Sequence, residues 1–258
     1  MLPDHHRGDP PEQVIWIGPG RSKQAIPSSA GVARELGGRA MITQIGLAVW
    51  DLAPGEPYDL AVEVSAVRTA AQAHGLSRYH LFGFSAGATV ALGAALAFGD
   101  EVLSITVLEA AVIGDDDWDP AETAWRAGLA AVRDLPPDQR GHAFRDLMMR
   151  PGEPLPPLGP PPLWDERTDL LEDMLAQVGF VSSDLAAITQ PVLAISGGRS
   201  NPRMRQQDER LVQVLPQTAT QVFSESSHLS PPHRTEPARL AGILLDFWVR
   251  SAGNRPRH

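Results

Sequence analysis

The segment from Tyr79 to Phe98 limits the possible folds of this chain more than any other. It begins with the residues YHLFGF, which predict a buried strand, and ends with AGATVALGAALAF, which predicts a helix of small residues. Ser85 stands between the two, with Gly83 and Gly87 on either side at a spacing of two residues. A serine at such a sharp strand-to-helix turn has a strained backbone and projects its hydroxyl above the sheet. The segment therefore predicts a strand–turn–helix unit that displays Ser85.

Strands and helices alternate on both sides of this unit. Apolar runs bounded by turn residues predict further strands at Val14–Ile17, Met41–Val49, Val102–Val112, Pro191–Ser196 and Thr218–Phe223. Helical spacing of apolar residues predicts helices between them, at Ser28–Leu36, Leu60–His74, Met204–Val214 and Glu236–Arg250. Such alternation predicts an α/β fold, with a mostly parallel central sheet and helices on both of its faces.

One stretch interrupts the alternation. The residues Asp119-Pro120-Ala121-Glu122 are a strong helix start, with an N-cap, a proline in the first turn and a glutamate three residues after the cap. Two more helices are predicted at Pro137–Met149 and Glu166–Val178. We expect residues 1–114 and 182–258 to form the α/β core. Residues 115–181 are expected to form a helical cap over the carboxyl ends of the strands, where open α/β sheets bind their ligands.

Composition narrows the possible functions. The net charge is −9, and no dense cluster of Lys and Arg is present, so a nucleic-acid partner is not expected. The chain has no cysteine, which excludes disulfides, thiolate catalysis and Cys-ligated metals. Residues 1–13 lack an apolar signal core, and no apolar run is long enough to cross a bilayer. We expect a cytoplasmic protein that acts on a small molecule, without membrane attachment; the sequence does not determine its oligomeric state.

The unit strand–GFSAG–helix, a histidine after the last strand and a helical insertion between them resemble the α/β-hydrolase superfamily. The resemblance covers roughly residues 14–114 and 186–250. It implies that Ser85 is the nucleophile, and it implies neither a metal nor another cofactor. Family members carry the catalytic histidine between the last strand and the last helix, so the resemblance assigns His228 as the base. His233, five residues nearer to the helix, is the alternative.

The third member of the expected triad departs from the family pattern. Most members carry an aspartate after the penultimate strand, where this chain has GGRSNP, and neither Ser200 nor Asn201 can supply a negative charge to an imidazolium. Asn201 could merely orient the histidine, catalysis could have been lost, or the acid could come from elsewhere. We favour Glu109, because some haloalkane dehalogenases carry the acid at the end of the corresponding strand. A carboxylate beside apolar residues also needs a partner, which His228 could be.

Two further groups of site residues are expected. The oxyanion hole requires backbone donors, for which we assign Ala86 and, because Pro19 has no N–H, Gly20 or Arg21. An apolar or aromatic substrate would be bound by aromatic side chains, although those of the insertion could equally form its own core. The candidates for substrate binding are Phe84, Trp118, Trp125 and Trp164.

The most favoured function is hydrolysis of an ester, thioester or lactone through an acyl-serine intermediate. Dehalogenase and epoxide-hydrolase chemistry would require an aspartate at position 85, so they are disfavoured. Two alternatives stay open at this point: a non-hydrolytic or C–C bond-cleaving enzyme of secondary metabolism, and a ligand-binding protein without catalytic activity. The fold does not decide between them.

Overall fold

The structure is a computed structural model that describes residues 10–19, 28–115, 119–161, 164–215 and 217–253. Six strands form its sheet: β1 (Glu12–Ile17), β2 (Ala40–Ile45), β3 (Tyr79–Phe84), β4 (Val102–Leu108), β5 (Val192–Gly197) and β6 (Thr218–Phe223). The strands lie in the order β2-β1-β3-β4-β5-β6, and every neighbouring pair is parallel. The carboxyl ends of all six strands therefore meet at one edge of the sheet.

Helices cover both faces of this sheet. In chain order they are α1 (Ala30–Leu36), α2 (Leu60–Ala73), α3 (Ala86–Ala97), α4 (Pro120–Asp134), α5 (Pro137–Met148), α6 (Glu166–Ala176), α7 (Pro202–Val214), α8 (Pro232–Thr235) and α9 (Pro237–Gly253). Successive strand residues point to opposite faces. Ile15 and Leu81 belong to one buried cluster, which α2, α3 and α7 complete. Trp16 and Phe82 stack in the other, which α1 and α9 complete. The predicted α/β fold is confirmed.

The strand predicted at Val102–Val112 ends earlier than expected. Its last residue is Leu108, because Glu109 adopts a left-handed backbone with φ of 47°. The Glu109 amide still donates to the carbonyl of Ile195 in β5 at 3.0 Å. The chain thus turns out of the sheet at Glu109, a residue type that rarely adopts this conformation.

The strand predicted at Met41–Val49 is also shorter, and ends at Ile45. A buried carboxylate draws the following residues into a 3-10 turn. Glu63 accepts hydrogen bonds from the amides of Ala48 and Val49, at 2.9 and 3.1 Å. Because the turn replaces strand pairing, β2 stops level with the end of β1.

The stretch between β4 and β5 holds α4, α5 and α6. As the helix-start pattern predicted, the side chain of Asp119 accepts a hydrogen bond from the Glu122 amide at 2.8 Å and caps α4. The division of the chain at residues 114 and 182 stays a prediction. None of the helices that the structure describes is both long enough and apolar enough to cross a bilayer.

A buried ion pair joins α4 to α7. Arg203, only 2% exposed, bonds Glu122 through Nε and, at 2.9 Å, through Nη2. Arg126 and Gln207 each donate to the same carboxylate at 2.8 Å. Burial would raise the pKa of Glu122, but the hydrogen bonds and charges of Arg203 and Arg126 outweigh it and hold that pKa below its ordinary value. The guanidinium of Arg203 also lies 3.8 Å from the ring centre of Trp125.

Candidate active site

The turn between β3 and α3 carries Ser85 in a conformation that few residues adopt. Its φ is 57° and its ψ is −122°, well outside the regions that L-residues favour. Backbone hydrogen bonds hold it there. The Ser85 amide donates to the carbonyl of Leu108 at 3.0 Å, and the Ser85 carbonyl accepts from the amide of Ala111 at 3.1 Å. The strain is thus set by the surrounding sheet, and it places the side chain at the carboxyl edge.

The two glycines of the GFSAG sequence are required by close backbone contacts. A Cβ atom on Gly83 would lie 2.3 Å from the carbonyl oxygen of Gly87. One on Gly87 would lie 2.5 Å from the carbonyl oxygen of Ile17 and 2.6 Å from that of Gly18. Since backbone atoms cannot move aside cheaply, only glycine lets α3 begin this close to the end of β1.

Three side chains form a hydrogen-bonded chain at this edge of the sheet. Nε2 of His228 lies 3.2 Å from Oγ of Ser85, and Nδ1 of His228 lies 2.8 Å from Oε2 of Glu109. The second carboxylate oxygen of Glu109 accepts a hydrogen bond from the amide of Gly197 at 2.7 Å. Glu109 is 1% exposed and His228 is 8% exposed. The structure therefore brings together the nucleophile, base and acid that the sequence analysis assigned.

The loop that carries His228 is fixed against the end of β5. A Cβ on Gly197 would lie 2.6 Å from the carbonyl oxygen of Ser226, so the end of β5 and this loop are in close backbone contact. Ser227 and Ser230 exchange backbone hydrogen bonds of 3.1 and 3.0 Å around the histidine. This tight turn holds the imidazole in place.

The residues at the family's usual acid position have other contacts. Asn201 caps α7: its side-chain oxygen accepts from the amide of Arg203 at 3.1 Å, and its Nδ2 donates to the carbonyl of Leu147 at 2.9 Å. The hydroxyl of Ser200 is buried and has no hydrogen-bond partner among the described residues. Neither side chain has a hydrogen bond to His228, which leaves Glu109 as the carboxylate of the cluster.

The alternative histidine, His233, packs behind the site. Its ring lies 5.3 Å from the ring of Phe84 and 6.1 Å from that of Trp16, in edge-on contacts. Burial, together with the nearby charges of Arg234 and His228, lowers its pKa to about 3. Neither ring nitrogen has a hydrogen-bond partner in the part of the chain that the structure describes. His233 is a neutral packing residue rather than a partner of Ser85.

A second buried carboxyl, which the sequence analysis did not single out, lies near Glu109. Asp208 of α7 is 4% exposed. Burial is the main reason that its pKa rises to about 8, and the charge of Glu109 adds to the rise. No sequence pattern marks this residue, because α7 contains many polar residues and nothing in the sequence distinguishes Asp208 from the others.

The predicted oxyanion donors are described only in part. Ala86 is the first residue of α3, where backbone N–H groups have no acceptor within the helix and the helix dipole favours negative charge. Gly20 and Arg21 lie outside the described residues. Pro19, just before them, lines the same cavity as Ser85 and Ala86.

A cavity of about 270 Å³ opens above the serine, and most of its lining is apolar. Phe84 and Trp125 line it, as predicted. Trp164 does not: it packs against Phe144 and donates to Asp169 at 2.8 Å, so this assignment is corrected. Trp118 lies outside the described residues. The insertion also contributes residues to the cavity wall that the sequence did not single out for substrate binding. These are Gly141, Phe144, Arg145, Met148, Leu158, Leu171, Glu172 and Leu175.

Charged groups in this wall were not anticipated from the sequence. Arg145 and Glu172 come from the insertion, whereas Arg203 and Arg234 come from α7 and α8. The charge of Arg203 is neutralised by Glu122. Within the described residues, no group of three or more metal-ligating side chains could hold a metal ion.

Residues 24–243 match the alpha/beta hydrolase family. The chain belongs to this family. Its structure is similar to a carboxylesterase from Bacillus subtilis at 15% identity, with 92% of this chain and 83% of that chain covered and a TM-score of 0.63. It is also similar to the enol-lactonase from Burkholderia xenovorans, at 14% identity, with 95% and 94% covered and a TM-score of 0.67. A hydrolase from Oleispira antarctica gives 13% identity, 92% and 91% coverage and the same TM-score. No curated protein matches the sequence.

Proposed function

We propose that this protein hydrolyses an ester, thioester or lactone with an apolar or aromatic group, through an acyl-serine intermediate. One observation carries the proposal: Ser85, His228 and Glu109 form a continuous hydrogen-bonded chain beneath a mostly apolar cavity. The distance between Ser85 Oγ and His228 Nε2 is within the range at which a general base removes a proton. The family and the esterase and lactonase neighbours agree with this chemistry.

The geometry supports a two-step reaction. Oγ of Ser85 attacks the carbonyl carbon while Nε2 of His228 accepts its proton, and the negative charge of Glu109 stabilises the imidazolium at Nδ1. The carbonyl oxygen becomes an oxyanion, to which the Ala86 amide donates. His228 then gives the proton to the leaving alkoxide or thiolate, and the acyl-serine remains. A water molecule, deprotonated by His228, then attacks the acyl carbon. The bond between the acyl group and Oγ of Ser85 breaks, the acid is released, and His228 returns the proton to Oγ.

A ligand-binding protein without activity is less well supported. That alternative depended on the missing aspartate in the loop after β5. Glu109 supplies a carboxylate at 2.8 Å from His228 Nδ1 instead, so the loop sequence does not argue for lost catalysis.

The decisive test combines active-site labelling with turnover. A fluorophosphonate should label the wild-type protein at Ser85, and aryl esters of graded acyl length should be hydrolysed. Ser85→Ala should abolish both, with an unchanged circular dichroism spectrum. Labelling that persists in Ser85→Ala, or a folded wild type that neither labels nor turns over any ester, would refute the proposal.

A further inference from the structure

A second cavity, of about 230 Å³, lies beside the first, between α4 and α6. Its walls are mainly apolar, with Val112, Leu129, Ala130 and Ala176 among the residues that line it alone. Arg126 and Arg133 also line it, but they are paired with Glu122 and Asp173. The cavity therefore suits an apolar group rather than an anionic one, because both arginines already have carboxylate partners.

The two cavities share one wall. Ala111, Trp125, Glu172 and Leu175 line both of them. Ala111 lies directly beside the nucleophile, because its amide donates to the carbonyl of Ser85 at 3.1 Å. The second cavity thus begins next to the place where an acyl group would be attached to the serine.

Trp125 is the largest side chain of this wall. Its indole is 8% exposed and lies against the guanidinium of Arg203 at 3.8 Å from the ring centre. Its Nε1 has no hydrogen-bond partner among the described residues. Packing and the cation–π contact, rather than a hydrogen bond, thus hold the ring across the space between the cavities.

We propose that Trp125 determines the acyl length that this site accepts, by closing off a further apolar subsite that the second cavity forms. The inference rests on the proposed function and makes it more specific. The acyl groups that suit the first cavity alone are short or aromatic, and a longer aliphatic chain meets the indole. Removing the indole joins the two cavities, so that a straight chain extends from the serine past Ala111 into the space beside Leu129.

The test compares aryl esters from acetate to laurate in wild type and Trp125→Ala. In the wild type, kcat/KM should fall once the chain reaches the indole. In Trp125→Ala it should keep rising by about fourfold for each additional buried methylene. Leu129→Ala is the matched control, because it enlarges the second cavity without opening the wall and should leave the wild-type profile unchanged. Identical length profiles in wild type and Trp125→Ala would overturn the proposal.

A binding measurement separates this inference from the proposed function. Calorimetric titration with laurate and with butyrate needs no turnover: laurate should bind at least tenfold more tightly to Trp125→Ala than to wild type, and butyrate equally to both. Equal affinities for laurate would overturn the inference even if esters are hydrolysed. Tighter laurate binding without any hydrolysis would support the inference while the proposed function fails. If Trp125→Ala does not fold, Trp125→Leu, which keeps apolar bulk but removes the ring, takes its place in both assays.

Discussion

Substitution of Glu109 by glutamine tests the assignment of the acid directly. The carboxylate is almost completely buried and has two partners, Nδ1 of His228 at 2.8 Å and the amide of Gly197 at 2.7 Å. In Glu109→Gln the amide oxygen can keep the bond from Gly197, so the fold is preserved. The amide nitrogen then faces Nδ1 and donates to it. This stabilises the tautomer that carries its proton on Nε2, which cannot accept the proton of Ser85.

The expected loss is large. Replacing the acid of a serine triad by its amide lowers kcat about 10⁴-fold, which corresponds to about 5 kcal/mol of transition-state stabilisation at about 1.36 kcal/mol for each factor of ten. The assay is the steady-state hydrolysis of an aryl ester, with the rate of fluorophosphonate labelling as a second measure. Both should fall together, since both depend on removal of the Ser85 proton.

Asn201→Ala is the matched control for this prediction. Asn201 caps α7 and has no hydrogen bond to His228, so its loss should lower the free energy of unfolding by about 1 kcal/mol and leave kcat nearly unchanged. The reasoning is wrong if Asn201→Ala impairs turnover as strongly as Glu109→Gln, or if Glu109→Gln keeps a tenth or more of the wild-type kcat.

Three further substitutions address folding and pH dependence. In Gly87→Ala the new methyl would lie 2.5 Å from the Ile17 carbonyl oxygen, so thermal denaturation should show a loss of roughly 3 kcal/mol, the upper end of the cost of overpacking. Glu122→Gln leaves the charge of Arg203 buried without its counter-charge and should cost about 3–5 kcal/mol by chemical denaturation. Asp208 has its pKa raised to about 8 in the folded state, so its contribution to stability is complete below pH 4 and is lost as the pH rises through 8. Asp208→Asn should therefore become progressively more stable than wild type as the pH rises from about 4 to about 8.

Each of these expectations has a contrary result. A Gly87→Ala protein with wild-type stability would show that the start of α3 can move away from β1. Glu122→Gln without a measurable cost would mean that water or another group compensates Arg203. A stability difference between Asp208→Asn and wild type that does not change with pH would show that Asp208 is already ionised in the folded protein.

The sequence predicts the local elements well because their signals are local. Apolar runs and glycine turns place β3 and α3 almost to the residue, and the capping pattern at Asp119 places the start of α4. Pairing between distant residues leaves no such signal. Glu122 and Arg203 are 81 positions apart, and nothing in the sequence of either segment indicates that they pair. The ends of strands are equally hard to predict, since β4 stops where the backbone of Glu109 turns rather than where the apolar run stops.

The cavity wall shows the same limit. Trp125 and Trp164 are equivalent in the sequence, both aromatic residues within or near a predicted helix. The packing of α4 against α7 brings Trp125 against Arg203 and to the cavity beside Ser85. Trp164 packs against Phe144 instead and is not among the residues that line this cavity. Residue type alone cannot decide which of two tryptophans faces a cavity.

The position of the carboxylate, directly after β4, has a consequence for recognising related chains. A sequence search that demands an aspartate in the loop after β5 would classify this protein as inactive, although a carboxylate reaches the histidine from the neighbouring strand. Segment 198–201 therefore does not have to supply the acid, and its remaining constraints are steric: a Cβ on Gly198 would lie 2.5 Å from the carbonyl oxygen of Ser224. A glutamate or aspartate directly after β4 is the feature by which such hydrolases can be sorted from members that have truly lost their acid.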